Sequence, residues 1–214
     1  MRGTNLTAGG MLAACLLFAA GARAEEAKVA SPAPKPAQAK PAGVAAMPSE
    51  KEIMEAIEKA GAPGPQHAAL KSMAGSWKSS VKMWMGPGEP QVSEGSSESV
   101  MILGDRYLKQ DDTGSFMGHP FQGLGIMGYD NLEKKYVMSW VDTAGTGIMT
   151  ASGTADPGGK SYTFKGTMID ATTGKPTKYK ETVRVIDENT HVFEMYGWHG
   201  GKEVKEMEIT YTRK

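Results

Sequence analysis

From Gly75 onward the chain alternates apolar and polar residues with a period of two. "GSWKSSVKMWM" places Trp77, Val81, Met83 and Met85 on one side and Lys78, Ser80 and Lys82 on the other, with Ser79 interrupting the apolar side and Trp84 the polar side. "KKYVMSWVD" aligns Tyr136, Met138 and Trp140, and "SYTFKGTMID" sets Tyr162, Phe164 and Met168 against Thr163, Lys165 and Thr167. "KYKETVRVID" carries Tyr179, Val183 and Val185 on one face, and "KEMEITYTRK" opposes Met207, Ile209 and Tyr211 to Glu206, Glu208 and Thr210. Such alternation is the pattern of antiparallel sheet with one dry face and one wet face. Turn residues separate these runs at Leu103–Arg106, Tyr129–Lys135, Asp156–Lys160, Asp170–Lys175, Asp187–Thr190 and His199–Lys202, as in successive hairpins. The pattern predicts about ten meandering strands. Closure into a barrel is the simplest way to remove their edges.

Before the strands the period is helical. Ser49 with Glu52 three residues later forms a capping box, and Ile53, Ala56, Ile57 and Ala60 share a face. Gly61, Pro63 and Pro65 end the segment. One short amphipathic helix is therefore expected over 49–61, covering one end of the domain. The period-two pattern is expected to begin near His67. Residues 25–48 ("SPAPKPAQAKPAG" and its flanks) are rich in Ala, Pro and Lys. They read as an extended linker without a core.

The N-terminus reads as an export signal over 1–24. Arg2 supplies a positive start, Met11–Ala22 a short apolar run, and Ala22-Arg23-Ala24 a cleavage site after Ala24. A rival reading uses "LAAC", with lipid attachment at Cys15, but the apolar mass "LLFAA" follows that cysteine instead of preceding it. Cleavage after Ala24 removes the only cysteine, so the mature chain relies on its core and not on disulfides. It also removes Arg2 and Arg23, so 24 basic residues become 22 against 24 acidic and the net charge is 22 − 24 = −2. No basic face points to nucleic acid, and no apolar run is long enough for an integral membrane span. The expected location is periplasmic or secreted.

Up-and-down barrels of the lipocalin or calycin kind share a mark: a Gly-x-Trp opens the first strand and an Arg near the end of the last strand packs over the Trp ring. Gly75-Ser76-Trp77 and Arg213 occupy those places. "GPQHAALKSMAGSWKSSVKMWMGPGEP", "GHPFQGLGIMGYDN", "WVDTAGTGIM", "FEMY" and "MEITYTRK" together resemble the secreted bacterial proteins grouped as domain of unknown function 1579. The resemblance spans Gly64 to Lys214. It implies a lipocalin-like barrel over 66–214 and no established activity. The turn "LGDR" departs from a commoner Gly-Arg pairing there but keeps Arg106.

Candidate chemistry is sparse. The histidines are His67, His119, His191 and His199, without the spacings of zinc sites. Met117 and His119 are two residues apart and could serve Cu(I), but methionine on the dry faces of strands is more often packing. There is no G-x-S-x-G motif, and the mature chain has no cysteine nucleophile. Asp142 ends the Trp140 face and Glu194 lies between Phe193 and Met195. Beside aromatic rings either carboxyl can have a raised pKa; paired with Arg106 or Arg184 either is a structural bridge. The inward set is expected to include Met127, Tyr129, Trp140, Tyr162 and Phe164. Gly123 and Gly125, on the Phe121/Met127/Tyr129 face, either make room or let an aromatic ring lie over the backbone.

The best reading is a barrel that binds a small, largely apolar ligand through His119, Tyr129, Trp140, Asp142 and Glu194. No cofactor or metal is assigned, and catalysis is the weaker expectation. The alternatives are a filled barrel acting as a non-enzymatic module for an envelope protein partner, and a Met/His copper binder. An open interior favours the ligand; a filled one favours the module.

Overall fold

The computed structural model describes residues 47–214. The expected export signal, the Cys15 alternative and all but the last two residues of the expected linker lie outside them. Two short helices and a 3₁₀ turn precede ten strands: α1 (Glu50–Gly61), α2 (Pro65–Leu70), the turn Lys71–Met73, β1 (Gly75–Met83), β2 (Gln91–Ile102), β3 (Tyr107–Phe116), β4 (His119–Asp130), β5 (Lys135–Asp142), β6 (Met149–Ala155), β7 (Ser161–Ile169), β8 (Pro176–Asp187), β9 (Thr190–His199) and β10 (Lys202–Arg213). Each strand pairs antiparallel with its sequence neighbours, and β1 pairs with β10, closing the barrel. Closure leaves no free edge.

The first helix follows the helical period read in the sequence but does not cover the barrel, and the second stands where alternation was expected. Ser49 caps α1 with the reciprocal Glu52 bond, yet no residue of α1 is buried, and Ile53 and Ile57 stay exposed. The helix is held at its C-terminal end. Arg106 donates to the Gly61 carbonyl at 2.9 Å, and Asn131 donates to the carbonyls of Ala60 and Ala62. The element that covers the barrel end is α2, where alternation had been expected to start at His67. Pro65 opens this helix, and His67 accepts from the Gly64 amide at 3.0 Å. Leu70 and Met73, one at the end of α2 and one in the 3₁₀ turn, plug that end of the barrel. Strand β1 stops at Met83, so Met85 falls in the following loop and is exposed.

The closed end is held by one cluster. Trp77 is 1% exposed and donates its indole N–H to the Met73 carbonyl at 3.1 Å. The Arg213 guanidinium stacks 4.1 Å from the Trp77 ring. It also donates to the carbonyls of Glu188 and Ala74, at 2.7 and 3.1 Å. One side chain thus joins the last strand, the β8–β9 turn and the segment before β1. Glycine is favoured at position 75 for two reasons. Its φ is +136°, and a Cβ there would lie 2.2 Å from the Arg213 Nη1. Beside this clamp, Tyr129, Tyr136 and Tyr162 meet edge to face at 5.0 Å centroid spacings, and Phe164 stacks beyond Tyr162. The packed core therefore sits at the end capped by α2, leaving the other end of the barrel open.

Trp77→Ala removes a buried ring and with it the stacking platform of Arg213 and the anchor of the Met73 carbonyl, so a loss of about 3–5 kcal/mol is expected. Differential scanning calorimetry should show Tm falling by roughly 10 °C. Gly75→Ala should lower Tm as well, because it displaces Arg213 while leaving every apolar side chain in place. An unchanged Tm in both variants would refute the clamp.

Candidate functional site

The side chains that point inward beyond the plugged end enclose a cavity of about 910 Å³. Methionine is the commonest residue of its wall, with Met83, Met127, Met138, Met149, Met195 and Met207 among the lining, together with Phe116, Phe121, Trp140, Phe193 and Ile209. Unbranched thioether side chains adapt to irregular ligand shapes. The size is that of a site for a small molecule.

Trp140 lies flat on this wall because β4 has no side chains beneath it. A Cβ on Gly123 would lie 2.2 Å from the Trp140 ring and one on Gly125 3.1 Å from it. The register explains this: Gly125 faces Trp140 and Gly123 faces Asp142 across the β4–β5 pair. The indole N–H donates to Asp142 Oδ2 at 2.7 Å, and Asp142 Oδ1 accepts from the Ala144 amide at 2.9 Å. Asp142 is thus a bracket that fixes the ring at the cavity wall. Phe121 stacks with it at a centroid distance of 6.5 Å.

The five residues singled out from the sequence do not form one site. Trp140 and Asp142 line the cavity. His119 begins β4 at the opposite end from Tyr129 and is exposed at the rim, near Met117, which is also exposed. Tyr129 sits at the plugged end, edge-on to His67 at 5.9 Å, where it packs α2 against the barrel. Glu194 is on the outside. Strand parity puts Phe193 and Met195 on the cavity wall and the residue between them on the opposite face. There Glu194 pairs with Lys205, accepts from Thr182 at 3.1 Å and lies 3.5 Å from Arg184. Burial pulls its pKa up, but the hydrogen bonds from Lys205 and Thr182 and the charges of Lys205 and Arg184 outweigh burial, leaving the carboxyl below its ordinary value. It is a structural ion pair and not a poised acid.

The interior polar groups are others, and sequence reasoning passed over them. Gln110 donates to both oxygens of Asp112, at 3.1 and 3.0 Å, and Tyr211 donates to Asp112 at 3.3 Å. Burial holds Asp112 above the usual carboxylate range despite these bonds. His191 lies between two rings, edge-on to Trp77 at 4.4 Å and stacked on Tyr211 at 4.5 Å. Burial, reinforced by the Arg213 charge, lowers its pKa to about 4. Glu181 is 4% exposed and lines the cavity, and burial raises its pKa to about 7. Its Oε2 has no hydrogen-bond partner in the protein. The missed signal was phase. Glu181 falls between Tyr179 and Val183, two residues from each, and His191 falls two residues before Phe193.

Among the described residues no three His, Cys, Asp or Glu side chains gather to hold a metal ion, and no helix is long and apolar enough to cross a membrane.

Residues 62–213 match the family model described as protein of unknown function, DUF1579. The chain belongs to this family. Its fold resembles that of Rv2717c from M. tuberculosis, at 13% identity and a TM-score of 0.55, covering 72% of this chain and 99% of that one. The S-type phycobiliprotein lyase CPES from Guillardia theta aligns at 11% identity and a TM-score of 0.47, covering 71% and 98%. At 13% identity the likeness to Rv2717c is one of architecture. No curated protein matches the chain.

Glu181 and His191 give opposite pH dependences of stability. The folded pKa of Glu181 lies above its ordinary 4.5, so its contribution is full below that value and is lost as pH rises to about 7. The folded pKa of His191 lies below its ordinary 6.5, so its contribution is full above that value and is lost as pH falls to about 4. Between pH 4.5 and 6.5 the two slopes cancel. Urea denaturation across this interval should show Glu181→Gln gaining stability relative to wild type as pH rises, and His191→Gln losing it, each by about 2–3 kcal/mol. Parallel profiles for all three proteins would contradict these pKa directions.

Proposed function

We propose that this DUF1579 protein is an exported binding protein that holds a small, largely apolar molecule inside its barrel. The observation that carries this reading is the 910 Å³ interior walled by methionine and aromatic side chains. A barrel serving only as an interaction scaffold gains stability by filling such a space, because close packing is the default of protein interiors. Here the packed core is confined to the capped end, and Trp140 is drawn back onto the glycines of β4, which keeps the centre of the barrel clear. Binding is favoured over catalysis: Asp112 and Asp142 are both engaged in holding their neighbours, and the interior His191 is packed between the rings of Trp77 and Tyr211, which leaves Glu181 as the one interior carboxyl free to meet a ligand. Export is supported by the pattern of residues 1–24.

Nile red, a neutral apolar dye, tests the cavity directly. Its emission should rise and shift to the blue on binding with one site per chain. Met195→Trp places a larger ring in the cavity and should weaken the dye at least roughly tenfold while leaving Tm unchanged or higher. No emission change with wild type, or equal binding by the variant, would remove the basis for this function. Mass spectrometry of the protein from its native envelope should find a mature chain beginning at Glu25; a lipid-modified Cys15 would establish the anchored alternative.

A further inference from the structure

Two side chains of the cavity lining carry a buried polar atom that the protein does not satisfy, Glu181 Oε2 and His191 Nδ1, and of the two only Glu181 can bring a charge near neutral pH. Glu181 stands on β8 between Phe164 of β7 and Met195 of β9 in register. It is almost fully buried, it lines the cavity, and its Oε2 has no partner. The other interior carboxyls are committed: Asp112 to Gln110 and Tyr211, and Asp142 to Trp140 and the Ala144 amide. A buried carboxyl without a partner is costly and rare in native proteins unless a ligand meets it.

The charge around it has one sign. Asp112, Asp142 and Glu181 line the cavity, Glu94 stands at its exposed edge, and no Lys or Arg lines it among the described residues. His191 is uncharged at neutral pH, its pKa being lowered to about 4. A cleft with low-dielectric walls focuses such a field. A ligand that brings a carboxylate inside would lose its hydration and meet only like charge. An ammonium group would lose its hydration too, but Glu181 can return a charge-assisted hydrogen bond. The faces of the lining aromatic rings add attraction for a cation and none for an anion.

We propose that the barrel selects apolar amines, the protonated nitrogen being received by the Glu181 carboxylate and the hydrocarbon body by the methionine and aromatic wall. This selectivity rests on the ligand-binding reading above and names its chemical class.

The test is a series with one hydrocarbon body and three head groups. Decylamine, decanol and decanoate are titrated into the full chain by isothermal calorimetry at mildly alkaline pH, where the amine is still protonated and Glu181 is ionised. Decylamine should bind roughly tenfold or more tightly than decanol, and decanoate most weakly, since only the ammonium adds an opposite charge to its hydrogen bond with the ionised Glu181. Glu181→Gln, nearly isosteric, should abolish the preference of decylamine over decanol, since it removes the charge that only the ammonium matches; an unchanged circular dichroism spectrum shows that the variant is folded. Decanoate binding as tightly as decylamine, or an amine preference that survives Glu181→Gln, overturns the selectivity while leaving the binding function standing. Failure of all three, decanol included, overturns the binding function and the selectivity with it.

Discussion

The fold depends on how its first and last strands are joined. The paired residues of β1 and β10 lie more than 120 positions apart in sequence, and their pairing makes the sheet a closed surface. Backbone bonds between them are necessary but carry little information about register. The Arg213–Trp77 stack adds to it: the two residues face each other across the β1–β10 pair, the guanidinium lies over the indole beside Gly75, and its remaining donors reach carbonyls in two other segments. Because the indole N–H is bound to Met73, the same ring also ties the 3₁₀ turn, and through it α2, to the barrel. Closure, capping and the position of the core at one end follow from this one contact.

A plug at one end has a consequence at the other. The large buried aromatic side chains are spent where α2 sits, and the rest of the interior is left to methionine, to small residues and to a few polar groups. Small residues have opposite uses on the two sides of the barrel wall. Gly123 and Gly125 admit a Trp ring against the strand and keep it out of the centre, whereas Gly128, on the outer face, lies under Tyr107. The buried polar groups are less stable companions. Glu181 and His191 each shift away from their charged forms, and a cavity that holds such groups without full satisfaction costs the protein stability. That cost is consistent with a site kept for a ligand.

Period-two alternation was enough to recognise the sheet, the hairpins and the approximate number of strands, and the Gly75, Trp77 and Arg213 mark was enough to recognise the barrel. The capping segment is not legible in the sequence, because Pro65–Met73 is too short for helical periodicity to show and the strand that follows it alternates. The site was legible only in part. Trp140 and Asp142 were found because they continue an aromatic face. Glu194 was chosen for its aromatic neighbours in sequence, although residues adjacent on a strand point to opposite faces. Glu181 and Ser79 broke the apolar pattern and so were set aside, yet each keeps the phase of its strand and lines the cavity.

What the sequence determined by itself is the local alternation that makes strands, the turn residues that reverse them, and the glycine and aromatic pairing that closes them, because each of these acts between near neighbours or between marked partners. Whether the interior is open or filled was decided only in three dimensions. It depends on where α2 comes to rest, on which rings lie flat on glycine, and on whether a buried carboxyl finds a partner across the barrel. Strands far apart in the chain meet there, and only their assembly shows that Asp112 and Asp142 are satisfied and that Glu181 is not.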